Sequence, residues 1–209
     1  RSKNVLATIM QSFFCLGIVS LIWVVYGYSL AFGPDVSNVI GNLDFVFLDN
    51  VSWETGTGRT IPDILFCAFQ LMFAIITPAL ITGAFAERMK FSAYLLFISA
   101  WVTLVYFPVC HWVWGGGWLA DMGALDFAGG TVIHINSGAA ALVCAIVIGK
   151  RRGFGRDAIH PNNLPMTVLG AAILWIGWFG FNAGSALTAG PIAALALMTT
   201  QLAAGVGAL

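Results

Sequence analysis

Charged residues are scarce in this chain: Asp, Glu, Lys and Arg together make up 9% of its 209 residues, whereas soluble domains carry about 25%. None of the four occurs between Ala158 and Leu209. This scarcity excludes an ordinary soluble domain and a basic surface for nucleic acid. Because 59% of the residues are hydrophobic and the mean hydropathy is +0.90, the composition predicts an all-α, multi-pass membrane protein.

Cysteine and histidine are also rare, with four and three residues. No two cysteines have the CxxC spacing of zinc or redox sites, so we expect buried free thiols rather than disulfides, and no metal or cofactor. No nucleophile and base lie at a spacing typical of catalysis, which makes a membrane enzyme the least favoured interpretation. The cysteines all lie in apolar runs, at Cys15, Cys67, Cys110 and Cys144.

Six long apolar runs predict membrane-spanning helices, since each is close to the roughly 20 residues that cross a hydrocarbon core. We place these helices at 5–32, 64–86, 91–113, 127–149, 164–184 and 190–209. On the fifth run, Gly177, Gly180 and Gly184 are spaced for close approach of a neighbouring helix. This spacing predicts a tightly packed bundle without a wide aqueous pore.

The positions of Lys and Arg predict the orientation. Arg59 alone falls on one side of the six-span alternation, and all the other Lys and Arg residues fall on the opposite side. Because cytoplasmic loops carry the excess of positive charge, we place 1–4, 87–90 and 150–163 in the cytoplasm. The chain is therefore expected to be a multi-pass protein of the cell (plasma or inner) membrane.

The longest external connection, residues 33–62, is acidic. Its carboxylates could enrich cations near the surface by a modest, salt-screened amount. Ordinary solvated loop charge is the simpler interpretation. The acidic residues are Asp35, Asp44, Asp49 and Glu54.

Aromatic and polar residues share one face of the fifth run. Trp178, Phe181, Asn182 and Ser185 stand at i, i+3, i+4 and i+7, so a helix brings them together. Ring faces attract cations and a hydroxyl oxygen accepts hydrogen bonds, so this face suits a small cation. An interfacial aromatic belt with a capping serine explains the same spacing.

Phe69, Gln70 and Phe73 repeat this pattern on the second run, where core packing is the simpler interpretation. Trp114 precedes three glycines that let the chain leave its helix at the outer rim. The indole is therefore presented at that rim, where an interfacial anchor is again the simpler account.

Asp126 and His134 are the ionisable residues of the fourth run. Asp126 stands where a helix N-cap belongs, and its charge could also stabilise a nearby cation. His134 lies eight residues further, roughly 12 Å inward at 1.5 Å per residue. No second ligand or catalytic partner accompanies it on its own helix, which argues against a zinc site or a triad. A neutral imidazole in a weakly polar pathway and a core histidine bonded to another helix's backbone both remain open.

Taken together, these segments resemble the ammonium transporter (Amt/Mep/Rh) family, in its Amt branch. The resemblance covers nearly the whole chain, and Trp114 and Ser185 favour the Amt branch over Rh-like gas conduction. The matching segments are Arg1–Asn4, Trp23–Gly33, Ala86–Ser92, Val113–Gly117, Asp126–Asn136 and Gly177–Ser185.

The family resemblance implies a fold of eleven helices: two inverted halves of five helices each, and one further helix. It also implies assembly as a homotrimer. On this basis the chain is a single transmembrane transporter domain over 1–209, incomplete at both ends, with the second to seventh helices. The resemblance also implies a lipid bilayer as its surroundings and admits a PII-type regulatory protein as a cytoplasmic partner.

The resemblance also assigns site residues. It places Trp114, Phe73 and Ser185 in an outer cation site and stacks Phe73 on Phe181 as a gate. By the same resemblance, Asp126 is the acidic residue that supports the cation site, and His134 is the first of two histidines in the pore. We assign Trp178 to the pore beside His134.

The resemblance implies ammonium transport: capture at the outer site, deprotonation, and passage as ammonia. The alternative is an ammonium sensor, in which the same domain is fused to a signalling module.

Overall fold

The computed structural model describes residues 4–56 and 58–209, so Arg1 and Lys3, two of the cations used to predict the orientation, lie outside the described residues. Its α-helices follow the predicted apolar runs. They are α1 (Val5–Ile22), α2 (Tyr28–Phe32), α3 (Asp63–Ile81), α4 (Phe91–Trp101), α5 (Phe107–Trp114), α6 (Trp118–Asp121), α7 (Asn136–Ile148), α8 (Leu164–Gly184) and α9 (Pro191–Gly207).

Among the described residues, five helical segments are long and apolar enough to cross a membrane, which confirms the multi-pass prediction. They are Val5–Phe32, Asp63–Phe85, Phe91–Asp121, Gly130–Ile148 and Leu164–Gly184. In the sixth predicted span, 190–209, helix α9 covers the 17 residues Pro191–Gly207. It begins at Pro191 because proline is favoured at the first helical position.

Three of these spans contain a π-helical turn, in which the wider hydrogen bonding accommodates an extra residue. The turns lie at Trp23–Gly27, Val102–Tyr106 and Gly130–Ile135. Apolar periodicity does not predict them, because a π-turn uses the same residue types as an α-turn. In the first turn the Phe107 ring occupies the space that a side chain on Gly27 would need. The missing side chain therefore lets the first and third spans pack closely.

The core lies among α1, α3 and the α4–α5 span. Its largest fully buried side chains are mostly aromatic: Trp23, Tyr28, Tyr94, Tyr106, Phe73, Phe85 and Phe107. Helix α8, in contrast, contains no buried residue and packs mainly on α9. Thus only one side of α8 faces the rest of the bundle.

The connections meet at two ends of the bundle, as the alternation of spans predicts. At one end, which we call the Arg88 end, the Arg88 guanidinium donates a hydrogen bond to the Gly149 carbonyl. At the other, which we call the Asp126 end, the Thr60 hydroxyl donates to the Leu187 carbonyl at 2.6 Å. The charge distribution predicts that the Arg88 end is cytoplasmic and that the Asp126 end is external.

Candidate functional site

A cavity of about 310 Å³ opens at the Asp126 end. It brings together Trp114 from α5, Phe73 from α3, and Ser185, which follows the last turn of α8. These are the three residues that the family resemblance groups as a cation site. The full lining is Phe66, Phe69, Gln70, Phe73, Trp114, Asp126, Phe127, Ser185 and Leu187.

The backbone after α5 determines where the Trp114 indole lies. Helix α5 ends at Trp114 because Gly116 has φ +88, in the left-handed region that favours glycine, and the Gly117 amide then bonds back to the His111 carbonyl at 3.0 Å. The indole N–H donates to the backbone carbonyl of Asp126 at 2.7 Å. This bond fixes the orientation of the Trp114 ring toward the cavity.

Although the N-cap residue itself is Gly129, the Asp126 carboxylate accepts the first amides of the fourth span, as predicted. Its Oδ1 accepts the amides of Gly129 and Gly130 at 2.6 and 2.8 Å, and its Oδ2 accepts those of Thr131 and Val132 at 2.8 and 3.0 Å. The negative charge complements the positive end of the helix. Each carboxylate oxygen already accepts two N–H groups. Asp126 therefore affects the cavity in two ways: it holds this turn in position, and its negative charge acts at long range.

Ser185 presents a hydrogen-bond acceptor. Its hydroxyl donates to the Phe181 carbonyl at 2.7 Å, so the hydroxyl proton is already used and the oxygen lone pairs remain for a ligand. Gly184, next to it, lies so close to Phe69 that an added Cβ would stand 3.2 Å from that ring. Close approach of α8 to α3 thus brings Ser185 to the cavity wall.

An unbroken column of rings runs from the cavity into the bundle. The centroids of Trp114 and Phe73 are 5.5 Å apart, and those of Phe73 and Phe181 are 4.7 Å apart. The column continues from Phe181 to Trp178 at 5.4 Å and from Trp178 to His134 at 5.8 Å. The five side chains come from four different spans, so apart from Trp178 and Phe181 on α8, the tertiary fold makes them neighbours.

His134 ends this column from within the π-helical turn at Gly130–Ile135. His134 is an exposed residue. Its imidazole ring forms no hydrogen bond with any residue in the described ranges 4–56 and 58–209. The alternative of a core histidine bonded to another helix's backbone is therefore not supported by the described part of the chain. His134 instead presents its ring beside Trp178.

His111 and Asp35 form a pair that the sequence pattern did not reveal. The fully buried His111 ring approaches the Ala31 carbonyl with Nδ1 at 3.0 Å and Asp35 Oδ1 with Nε2 at 2.8 Å. Both ring nitrogens of His111 therefore have an oxygen partner. The hydrogen bond with His111 lowers the pKa of the Asp35 carboxyl, helped by the backbone amide of Asn38.

This pair fastens the external loop to α5. Asp35 lies in strand β1 (Asp35–Val36), which pairs antiparallel with β2 (Ile40–Gly41) and places Asp35 opposite Gly41. Asp35 is thus bound in structure rather than being ordinary solvated loop charge. The separation of 76 residues between His111 and Asp35 explains why no local pattern predicted it.

Two features of the fifth run differ from prediction. Asn182 does not face the cavity, because its Nδ2 donates to the Thr200 hydroxyl on α9 at 2.9 Å. Gly177 and Gly180 were expected to contact a neighbouring helix, but no described atom lies within 4 Å of a Cβ built on either residue. They line an apolar groove of about 810 Å³ instead, and only Gly184 makes the predicted close approach.

Comparison with known proteins agrees with the residue pattern. The family model described as "Ammonium Transporter Family" matches residues 1–209. The chain is 54% identical to the ammonium transporter of Bacillus subtilis over 99% of its own length and 51% of that protein. It is 50% identical to ammonium transporter Amt1 of Archaeoglobus fulgidus, with coverages of 99% and 51%. The chain thus spans about half the length of the curated relatives it matches.

Solved structures show the same fold. The crystal structure of Candida albicans Mep2 superposes with a TM-score of 0.84 at 38% identity, covering 91% of this chain and 43% of Mep2. A structure named "Sensor Amt Protein" gives a TM-score of 0.88 at 31% identity, covering 98% of this chain and 52% of that one.

Proposed function

Because this chain belongs to the ammonium transporter family, we propose that the aromatic column is the entrance of an ammonium pathway, and that the whole protein transports ammonium across the membrane. The observation that carries this proposal is the continuous series of ring contacts from Trp114 to His134. Each step of the path follows from the chemistry of these residues.

Capture takes place in the cavity at the Asp126 end. Trp114 and Phe73 present aromatic rings to a cation, each contributing about 1–2 kcal/mol when water is excluded. The Ser185 oxygen accepts an N–H, and such a charge-assisted hydrogen bond adds about 1.5–3 kcal/mol. These values suit reversible capture of ammonium rather than a stable complex.

Deprotonation follows because the contact between Phe73 and Phe181 bars the ionic form. An isolated charge in an apolar passage costs several kcal/mol or more, whereas ammonia is neutral. The proton therefore passes to solvent water on the cavity side of the two rings, giving ammonia and hydronium, and ammonia moves past Trp178 to His134. A neutral imidazole there can both donate and accept a hydrogen bond.

Electrical recording on the reconstituted full-length protein tests this function. Ammonium pulses should give a saturable, protein-dependent change in current or internal pH, and potassium pulses of equal concentration should give none. A comparable potassium response, or no ammonium response, would contradict the proposal. Ser185→Ala should raise the ammonium concentration for half-maximal response.

The alternative is a sensor that captures ammonium without passing it. The chain is about 50% identical to transporters and 31% identical to the sensor structure, so transport is favoured. A kinase-type or cyclase-type extension in the full-length sequence would favour the sensor.

We further propose that the protein is a homotrimer in the bilayer and that a PII-type regulator contacts its cytoplasmic side. Helix α8 has no fully buried residue, which suits packing against protein or lipid. Light scattering of the full-length protein in detergent would measure the number of subunits.

A further inference from the structure

One buried polar group in the cavity has no partner. Gln70 on α3 is only 7% exposed, yet it lines the cavity together with Phe73, Trp114 and Ser185. Its Oε1 atom is buried and accepts no hydrogen bond from any described residue. A desolvated acceptor left without a donor costs about 1–3 kcal/mol, so this arrangement requires a compensating group.

The cavity wall does not supply that group. The indole N–H of Trp114 is donated to the Asp126 carbonyl, and the hydroxyl proton of Ser185 is donated to the Phe181 carbonyl. The two other side-chain donors of the described wall are therefore already used. A ligand that carries its own N–H groups fits this unfilled acceptor.

We propose that the Gln70 amide is a direct ammonium ligand, acting with Ser185 to set the affinity of the outer cavity. This proposal rests on the proposed function. Gln70 precedes Phe73 by three residues on α3, so the two side chains share one helix face. An ion bound in front of the Phe73 ring is therefore also beside the amide.

The set of partners matches the four N–H bonds of ammonium. The Gln70 amide and the Ser185 hydroxyl supply two oxygen acceptors, and Trp114 and Phe73 supply two aromatic rings that attract a cation. No hydrogen bond with described residues fixes the orientation of the amide, so it can rotate to present its oxygen. Potassium carries no N–H and is held by rings of oxygens that replace its hydration shell, whereas this set offers two oxygens, so it favours ammonium.

The test uses the full-length protein with Gln70→Met, which keeps the side-chain length and removes the amide. In proteoliposomes, this change should raise the half-saturating ammonium concentration about tenfold, the effect of losing a hydrogen bond to a charged ligand, with little change in the maximal rate. Gln11→Met is the matched control, because Gln11 is also buried, at 5% exposure, but lies on α1 away from the cavity. It should leave the half-saturating concentration unchanged.

Thermal unfolding gives a second readout that needs no transport. Without ammonium, Gln70→Met should unfold at or above the wild-type temperature, because it removes an unpaired buried polar group. Added ammonium chloride should raise the unfolding temperature of the wild type, since a ligand that binds only the folded state stabilises it. The increase should be smaller for Gln70→Met and unaltered for Gln11→Met.

The outcomes separate this proposal from the function on which it rests. If Ser185→Ala weakens ammonium capture but Gln70→Met does not, Gln70 is not a ligand and the transport function stands. If Gln70→Met unfolds at a clearly lower temperature without ammonium, the amide has a structural partner in the full-length protein and the proposal is overturned. If the wild type gives no saturable ammonium response, the proposed function itself fails.

Discussion

The rings of Phe73 and Phe181 meet edge to face, with centroids 4.7 Å apart and planes inclined at 64°. Phe73 is fully buried on α3, and Phe181 reaches it from α8. Such an aromatic pair contributes about 0.5–1.5 kcal/mol beyond the burial of its area. An energy of this size is compatible with the gate role proposed for the two rings.

Removing one of these rings should relax the selectivity of the path. We expect Phe181→Ala to admit water and to produce a potassium current in reconstituted full-length protein, because the apolar barrier to ions is thinner. Phe179→Ala is the matched control, since Phe179 lies on the same helix outside the ring column, and it should keep potassium excluded. Unchanged potassium exclusion in Phe181→Ala would show that the two rings are not the gate.

Replacing His134 should impair conduction without affecting insertion. His134→Ala removes the polar group at the end of the ring column, so we expect loss of selective ammonium conduction or of its coupling to protons. Membrane content, measured by immunoblot, should equal that of the wild type. His160→Ala, in the exposed connection at 150–163, serves as control, and normal transport with potassium exclusion in His134→Ala would refute the pore role.

Replacing Asp126 should lower stability. Asp126→Ala leaves four backbone N–H groups of the fourth span without their acceptor, which should cost about 1–3 kcal/mol of the free energy of unfolding. Denaturant or thermal unfolding in detergent would measure the loss. Asp44→Ala, in the external loop, should change stability little, and equal effects of both variants would contradict the capping role.

The pair of Asp35 and His111 should make stability depend on pH. The pKa of Asp35 is lowered in the folded state, so its contribution is fully present above the unfolded value near 3.9 and is lost as pH falls through the lower folded value. Asp35→Asn should therefore be less stable than the wild type at pH 7, and the difference should shrink below about pH 4.

Unfolding curves measured from pH 7 to pH 3 would check this dependence. Asp49→Asn is the control in the same loop. A difference between wild type and Asp35→Asn that stays constant over the whole range would show that the carboxylate charge is not what matters.

Hydropathy predicted the helical spans well because a membrane helix must be apolar along its length, whatever its neighbours are. The predicted helix at 164–184 coincides with α8 (Leu164–Gly184). The starts of spans were less predictable, since the fourth helical segment begins at Gly130 and the prediction began it at 127. Glycine changes the backbone at the start of a helix without making the sequence more polar.

The candidate site was only partly predictable from local spacing. Helical periodicity placed Trp178, Phe181 and Ser185 on one face, but it could not show that Asn182 turns to Thr200. Spacing offered core packing as the simpler account of Phe73. The family resemblance, not spacing, grouped it with Trp114 and Phe181, and the fold places it between them. Contacts between distant residues depend on how helices cross, which periodicity does not encode.

The π-helical turn at Gly130–Ile135 sets the angular position of His134. Each residue advances an α-helix by about 100°, and a π-turn accommodates one residue more over the same rotation. If the same residues wound as ordinary α-helix behind Asp126, the imidazole would turn by about 100°, roughly a quarter turn, away from Trp178. The column would then lose its last member with every site side chain still present in the sequence.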